Sequence, residues 1–374
     1  MLSFKNSKFK IMQIADVQDT DRISPDTLQL IENALEREKP DLVVFSGDQV
    51  KGYGINFKTG DAREKIKTAV TKTVTPVVKR NIPFTFCFGN HDEHPDFSKK
   101  EQLEFYKGFK NCLAFDDEEE IKGTANHYLT VTGSDKKEKL ILYFLDSNGS
   151  LSIGGYDSLG ENQLDWYRKI RDKKEEENGF CLPGIVFQHI PPVEVFSLLK
   201  PVKKNENGAV ESYRNFKGFY KLDFSKVNKD GFMGESPAVP DKDIHELSAF
   251  KEKGDVLGVY FGHDHNNSFH GKVDGIDLGY TQGCGFNVYG PGLDRGVRIF
   301  VFDENDIENY ETYTVTCRDL KDFKPVTPVK DFLYTVSPPS VYDVKKAAFK
   351  AGKYALITNA TVLAVREIIK RTKK

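Results

Sequence analysis

Cysteine is scarce in this sequence, and neither sign of charge dominates it. The five cysteines are odd in number and widely spaced along 374 residues. A disulfide scaffold is therefore not supported, and we expect free thiols in a reducing compartment. The 54 basic and 56 acidic residues give a formal charge of −2, which argues against a nucleic-acid partner and against a polybasic membrane surface.

Long hydrophobic runs are also missing. The opening residues, MLSFKNSKFK, contain no apolar signal core, and no stretch approaches the roughly 18 apolar residues of a membrane span. The sequence shows no repeat of solenoid period and no low-complexity tract. Because 39% of the residues are hydrophobic, the chain can bury one large core or two modest ones. We expect a soluble, cytoplasmic protein.

Strand-like runs alternate with helical patterns near the start of the chain. "FKIMQI" is followed by a helix that begins at Ser24 and Pro25 and ends near Arg37. "DLVVFSGD" precedes a second helical pattern over residues 61–79, and "IPFTFCFGN" completes the series. Near-continuous apolar strands separated by helices are typical of a parallel α/β sheet.

Later segments are less regular. "NHYLTVTG" and "KLILYFLDS" predict paired strands joined by a polar turn, and residues 161–173 predict a helix. Residues 197–245 are polar and are interpreted as an excursion over the surface. The short alternating runs that follow are typical of an antiparallel sheet, which places "GYTQGCGF…VRIFVF" in a second sheet.

A polar cluster ends each of the three early strands and two later apolar runs, "GIVFQHIPP" and "VLGVYFGHDH". Because ligands bind beyond the carboxyl ends of strands in open α/β sheets, we expect these clusters to meet. Carboxylates, imidazoles and amide oxygens suit Mn, Zn or Fe, and there are too many for one tetrahedral ion, which predicts a two-metal site. The polar side chains are Asp16, Gln18, Asp48, Asn90, His91, Asp92, His189, His263, Asp264 and His265.

The order of these motifs resembles that of the calcineurin-like metallophosphoesterases. "GD" at 47–48, "GNHD" at 89–92, a lone His at 189 and "GHDH" at 262–265 carry the likeness. Longer stretches such as "QHIPPVE" and "GYTQGCGFNVYGPGLDRGVRIFVFD" are similar to a branch with plant purple acid phosphatases described as probably inactive and fungal phosphatase relatives. The resemblance covers about residues 8–303 and implies a four-layer α/β/β/α metallophosphoesterase sandwich.

The resemblance also implies two divalent metal ions, which would be Mn, Fe or Zn, with Mg as an alternative. Metal one would be held by Asp16 and His265, and Asp48 would bridge both ions. The residues implied to complete metal two are Asn90, His189 and His263.

One histidine of the "GNHD" motif is implied to act on the substrate rather than to bind metal. His91 would donate to the phosphate or protonate the leaving oxygen. Asp92 would orient His91 and support its charge, as a carboxylate does for an imidazole.

Two positions depart from the family's pattern. The first motif reads Asp16-Val17-Gln18 where the family has Asp-x-His, and a neutral amide oxygen is a poorer donor to Zn or Fe than imidazole. Metal one should be bound more weakly, which favours Mn or Mg, and a loop amide without metal contact is the competing interpretation of Gln18. Lys51 stands where purple enzymes carry a ferric-ligating Tyr, so no purple colour is expected.

The expected activity is hydrolysis of a phosphomonoester by attack of a metal-bridging hydroxide. The substrate would be a phosphorylated small molecule or a phosphoprotein. Two alternatives stay open. The first is a phosphodiesterase that acts on cyclic nucleotides or nucleotide ends. The second is a phosphate-binding protein whose catalysis is weakened by Gln18.

The domain organisation predicted from the sequence has two parts. Residues 1–324 are expected to form the catalytic domain, and residues 325–374 a C-terminal extension that is partly helical. The apolar positions of that extension are expected to dock on the core or a partner, with peripheral membrane contact as the alternative. Tyr156, Tyr289 and Arg295 lie in Gly-rich loops that fit either a pocket rim or a plain turn.

Overall fold

Two β-sheets form the centre of the fold, in a computed structural model that describes residues 2–339 and 343–345 except 119, 153 and 213–215. The strands are, in chain order, β1 (Leu2–Ser3), β2 (Lys8–Ile14), β3 (Leu42–Ser46), β4 (Phe84–Cys87), β5 (His127–Thr132), β6 (Glu138–Phe144), β7 (Gly184–Phe187), β8 (Leu199–Pro201), β9 (Val210–Ser212), β10 (Gly218–Leu222), β11 (Phe232–Met233), β12 (Val256–Phe261), β13 (Asn267–Ser268), β14 (His270–Val273), β15 (Ile276–Tyr280), β16 (Gly296–Asp303) and β17 (Asp306–Thr316). The α-helices are α1 (Pro25–Glu38), α2 (Ala62–Lys79), α3 (Lys99–Lys107), α4 (Glu161–Asn178), α5 (Glu246–Phe250) and α6 (Pro328–Thr335).

The first sheet contains the three strands that the alternating pattern predicts. Its order is β17-β16-β2-β3-β4, and β2, β3 and β4 pair in parallel, which confirms the prediction. Strand β16 contains "VRIFVF" and pairs antiparallel with β2, with Ile299 opposite Met12. The prediction that this run lies in the second sheet is therefore wrong. Its alternating pattern predicts a strand, but it does not predict that this strand pairs with the free edge of β2.

The second sheet has seven strands in the order β1-β5-β6-β7-β12-β15-β14. Strands β5 and β6 form the antiparallel pair that the sequence predicts. Strand β15, which ends in the "GY" of "GYTQ", pairs in parallel with β12 and antiparallel with β14. The C-terminal ends of β7 and β12 consequently lie side by side, in register at Phe187 and Tyr260.

The two sheets pack face to face, with helices on both outer faces. The layer between the sheets contains Phe9 and Ile11 from one sheet and Leu142 and Phe187 from the other. Apolar residues of α1 and α2 pack on the outer face of the five-stranded sheet, and those of α4 and α5 on the seven-stranded sheet. The fold is thus the four-layer α/β/β/α metallophosphoesterase sandwich that the resemblance implies.

The helix boundaries follow local capping chemistry. Ser24 caps α1 by accepting a hydrogen bond from Asp26 N, as the Ser-Pro pair predicts. Helix α4 runs to Asn178, past its predicted end at Lys173, because the left-handed residue that terminates it is Gly179.

The segment after residue 324 begins on the body of the domain. Val326 N and Thr327 N each donate to a carboxylate oxygen of Asp26, and α6 follows. The compact unit extends to Thr335, and the boundary at residue 324 stays a prediction. The apolar positions that the sequence assigns to a later helix, from Leu356 onward, lie outside the described residues. Among the helices of the described residues, none is long and apolar enough to cross a membrane.

Candidate metal centre

The candidate ligands lie in the loops that follow β2, β3, β4, β7 and β12. A bridge between Ala15 and Gly283 joins the loops of the two sheets at this end. The backbone is held in the left-handed region at four of these side chains, where non-glycine residues are strained and concentrate at functional sites. These residues are Asp16 (φ 52°), Gln18 (φ 39°), Asp48 (φ 54°) and His263 (φ 76°).

Three of the side chains form a compact cluster. Ligand atoms of Asp16, Asp48 and His189 all lie within 4.8 Å of one another, and all three residues are buried. His189 Nε2 is 3.4 Å from Asp48 Oδ2 and 3.9 Å from Asp16 Oδ1. Two carboxylates and an imidazole at this spacing form a set that can hold a divalent cation.

The two histidines of the "GHDH" motif join this cluster. His265 Nε2 is 3.3 Å from Asp16 Oδ1, and His263 Nδ1 is 3.3 Å from His189 Nε2. The residue between them points elsewhere, since Asp264 accepts hydrogen bonds from Tyr280 Oη and Ala238 N. Asp264 thus anchors the loop, while the histidines on either side of it face the cluster.

Two glycines allow the ligand loops to approach each other. A Cβ on Gly47 would overlap the imidazole of His189, and a Cβ on Gly89 would overlap the carboxylate of Asp48. The glycine of "GD" is therefore required because the His189 ring packs directly against it, and the glycine of "GNHD" because the Asp48 carboxylate does.

Three polar atoms at the centre have no partner. Gln18 Oε1, Asn90 Oδ1 and His263 Nε2 are buried and make no hydrogen bond within the described part of the chain. Each such atom costs about 1–3 kcal/mol if nothing binds it. The two amide oxygens carry lone pairs, and His263 Nε2 presents one in the tautomer with its proton on Nδ1, so the donor set fits a divalent metal.

The amide of Gln18 is oriented by the carboxylate of Asp48. Its Nε2 donates to Asp48 Oδ2 at 2.9 Å, so the unpartnered Oε1 is the atom available to a cation. Asn90 is held more loosely, through Nδ2 and Ser150 Oγ at 3.5 Å. The Gln18 amide therefore contacts Asp48 directly, whereas the Asn90 side chain reaches Ser150 and follows Gly89, which packs on Asp48.

The carboxylates of the cluster favour a protonated, positively charged His189 when no metal is bound. Burial favours neutral forms, but Asp48 and Asp16 outweigh it and raise the pKa of His189 to about 10. Burial is likewise opposed at Asp48, where His189 and His91 hold the pKa below its ordinary value. His189 therefore carries a proton here, and a cation would have to displace that proton.

The loops that carry this cluster lie within a region that matches a known protein family. The sequence model described as calcineurin-like phosphoesterase matches residues 9–267, which include the five loops described above. The chain belongs to the calcineurin-like phosphoesterase family. Members of this family use divalent metals, and membership supports a metal-dependent phosphoesterase.

Curated relatives of this calcineurin-like phosphoesterase are similar over most of its length. "Probable inactive purple acid phosphatase 29" of Arabidopsis thaliana is 27% identical over 337 residues, 80% of this chain and 78% of that protein. "Phosphatase DCR2" of Saccharomyces cerevisiae is 26% identical over 354 residues, 85% of this chain and 56% of that protein. A crystal structure of a dimetal phosphatase from Danio rerio is 14% identical, covering 82% of this chain and 98% of that one, with a TM-score of 0.49.

His91 lies at the edge of the cluster and is accessible. Its backbone N donates to Asp48 Oδ1 at 2.8 Å, and its ring Nε2 is 4.0 Å from Asp48 Oδ2. The side chain is 35% exposed, and the ring of Tyr53 lies over it with centroids 4.5 Å apart. His91 is thus the predicted site residue with the clearest access from solvent.

Asp92 has a different role from the predicted one. Its carboxylate accepts hydrogen bonds from the backbone N of Gly89, Asp48 and Val50. Among the described residues it makes no hydrogen bond to the His91 ring, so the prediction that it orients His91 is not what the geometry shows. It instead ties the loops after β3 and β4 together. The sequence could not show this, because the donors are backbone groups.

The region interpreted as a surface excursion supplies a residue that sequence reasoning missed. Glu235 accepts hydrogen bonds from Tyr289 Oη and Asn266 N. The Tyr289 ring is stacked on His265 with centroids 4.2 Å apart, and its carbonyl oxygen accepts a hydrogen bond from His265 Nδ1. Glu235 and Tyr289 thus fix the His265 ring, and no local motif around Glu235 predicts this.

The two other rim candidates differ from each other. Tyr156 contacts the His263 ring edge-on, with centroids 4.4 Å apart, and so lies against a candidate ligand. Arg295 is buried and donates to the carbonyl oxygens of Gly285 and Val288. Arg295 therefore braces the loop that follows β15 and is not part of a pocket rim.

Proposed function

We propose that this protein is a phosphomonoesterase that works with two divalent metal ions. The observation that carries the proposal is the convergence of Asp16, Asp48 and His189 with three buried atoms that have no partner. Other buried side-chain atoms of the described residues also lack a partner, but these three belong to the motifs that supply the cluster. The substrate would be a phosphorylated small molecule or a phosphoprotein.

The metal ligands would be divided between two positions. Asp16, His265 and the oxygen of Gln18 would hold the first ion, and Asp48 would lie between the two ions. The residues that would complete the second position are Asn90, His189 and His263. Cations bound there stabilise negative charge on the phosphate and lower the pKa of a water molecule.

His91 would act on the substrate. Its ring lies beside Asp48 and is accessible, so a phosphate placed over the centre comes within reach of Nε2. From there it would donate a hydrogen bond to the phosphate or protonate the leaving oxygen. The family supplies the expectation of phosphoester hydrolysis, and the preference for a monoester rests on the phosphatase names of the relatives.

Gln18 supports a second candidate function. Because Gln18 Nε2 donates to the oxygen of Asp48 that faces His189, the amide competes with a cation for that carboxylate. A neutral amide also binds Zn or Fe less tightly than imidazole. The second candidate is therefore a phosphate-binding protein that holds one metal tightly and turns over little.

Metal content and substrate preference test these functions together. We expect protein loaded with Mn to contain two ions by mass spectrometry of the metal and to hydrolyse p-nitrophenyl phosphate. Faster hydrolysis of bis(p-nitrophenyl) phosphate would instead indicate a phosphodiesterase. If the protein holds one ion, gains a second in Gln18→His and turns over only then, the second candidate is correct.

A further inference from the structure

A cavity of about 320 Å³ opens next to Tyr53, and none of the candidate metal ligands lines it. Tyr53, whose ring covers His91 on one side, forms part of its wall. Lys330 and Tyr334 of α6 form another part of the wall, and both belong to the same compact unit as the metal centre. Tyr53 therefore contacts His91 and also lines this space, which we call the basic cavity.

The charges that line the basic cavity are all positive. Arg22, Lys51 and Lys330 line it, and no acidic side chain does. Within the described part of the chain, no carboxylate forms an ion pair with any of the three. The protein as a whole has a formal charge of −2, so three neighbouring cations without a direct ion pair are a local departure from a balanced surface.

The ammonium of Lys51 is held in place rather than left mobile. Its Nζ donates to Asn287 O at 3.1 Å and lies 5.4 and 5.6 Å from the ring centroids of Tyr53 and Tyr334. Burial lowers the pKa of Lys51, Asp19 opposes this, and Lys330 lowers it further. Repulsion between the two lysines would be relieved by an anion between them.

We propose that the basic cavity binds a second anionic group of the substrate, a carboxylate or phosphate on the leaving group. This inference rests on the proposed function, because His91 and the metal centre must receive the first phosphate. Preferred substrates would then be organic phosphates that carry a second anionic group on the leaving group. The position of Lys51, where purple enzymes carry a tyrosine, acquires a role in substrate recognition.

Matched aromatic substrates test the inference. In 4-carboxyphenyl phosphate the second anion is one ring away from the phosphate, and 4-carbamoylphenyl phosphate is its neutral isostere. We expect the Mn-loaded protein to favour the carboxylate about tenfold in kcat/KM, since partly exposed charge contacts have modest effects. 1,4-Phenylene bisphosphate distinguishes a phosphate preference from a carboxylate preference.

Variants in the wall of the cavity assign the preference to it. In the double variant Arg22→Gln and Lys330→Gln we expect the preference to fall below about twofold, with the melting temperature unchanged. The single variant Lys330→Arg, which keeps the positive charge, should retain most of the preference for the carboxylate substrate. Lys324→Gln, outside the cavity, should leave that preference intact. Equal kcat/KM for both substrates in the unaltered protein, or a preference that survives in the double variant, would overturn the inference.

Binding of non-hydrolysable analogues separates this inference from the proposed function. We expect 4-carboxybenzylphosphonate to bind the Mn-loaded protein about tenfold more tightly than 4-carbamoylbenzylphosphonate in calorimetry. If neither phosphate ester is hydrolysed but this ratio is found, the proposed catalysis fails and the basic cavity stands. If both esters are hydrolysed without preference, the catalysis stands and the basic cavity does not.

Discussion

The candidate metal centre and the surroundings of Asp146 are both clusters of buried polar side chains, but they differ in whether the protein itself supplies every hydrogen-bond partner. At the metal centre, Gln18 Oε1, Asn90 Oδ1 and His263 Nε2 have no partner within the described residues. At Asp146, Oδ1 accepts from Lys99 Nζ and Asn148 N, and Oδ2 from Lys99 Nζ and Thr124 N. One cluster is satisfied by the protein, and the other is not.

This difference indicates which buried polar groups stabilise the fold and which serve function. A buried carboxylate that is fully hydrogen-bonded and paired holds its loop in one conformation. Buried atoms left without partners lower stability unless something binds them, and beside carboxylates and imidazoles a cation can be that partner. Changes at Asp146 should therefore affect folding, and changes at the metal centre should affect activity.

Asp48→Asn should give the largest effect on activity. The asparagine can still accept the hydrogen bond from His91 N, but it removes the charge shared between the two proposed ions. We expect kcat/KM for p-nitrophenyl phosphate to fall by about 1,000-fold or more. In the same variant Mn should no longer raise the melting temperature, whereas it should do so in the unaltered protein. If the activity and the Mn-dependent rise in melting temperature both persist, Asp48 is not part of a metal site that serves activity.

Lys99→Met should have the next largest effect, and on stability. It leaves the carboxylate of Asp146 buried without its charged partner, and breaking such a pair costs about 3–5 kcal/mol of unfolding free energy. Urea unfolding without metal measures this. Lys107→Met, which removes an exposed ion pair with Glu104 on the same helix, should cost less than about 1 kcal/mol. Similar losses of unfolding free energy in the two variants would show that the buried Lys99–Asp146 pair does not stabilise the fold more than an exposed pair.

Glu246→Gln should stabilise the protein in a pH-dependent way. Burial, opposed by a hydrogen bond from Gln188 and assisted by Glu194 and Asp243, raises the pKa of Glu246 to about 8. Between the ordinary value of 4.5 and this value only the unfolded chain ionises, so the native protein loses stability as pH rises.

We therefore expect Glu246→Gln to raise the unfolding free energy by about 4 kcal/mol at pH 8 and by less than about 1 kcal/mol at pH 5. Urea titrations at both pH values give the comparison. Glu36→Gln, at an exposed position of α1, should show no such difference between the two pH values. A gain that is equal at pH 5 and pH 8 would mean that Glu246 ionises normally in the native protein.

Tyr289→Phe should give the smallest effect. It removes the hydrogen bond to Glu235 but keeps the ring that stacks on His265. We expect Mn affinity, measured by competition with a chelator, to fall about threefold, and Tyr289→Ala to lower it about tenfold. Equal losses for the two variants would show that the hydroxyl, rather than the ring, positions His265.

The sequence was informative about the centre because its signals are local. Each ligand motif directly follows an apolar run, and the parallel pairing of β2, β3 and β4 is confirmed. Prediction was weaker where the partner is distant or is a backbone group. Asp92 binds three backbone N–H groups, and β16 returns to pair with β2. Neither relation leaves a periodic trace in the residues involved.

The sequence by itself determined the early alternation of strands and helices and the polar residues that end those strands, because apolar periodicity, capping residues and glycine requirements act within a few positions. It did not predict the short strands β8 to β11, which lie in the region interpreted as a surface excursion. Only the tertiary structure decided that Glu235 reaches Tyr289 and that Lys330 and Tyr334 stand beside Lys51. These contacts join residues far apart in the chain. Their free energy comes from packing of completed elements, and no local sequence preference records it.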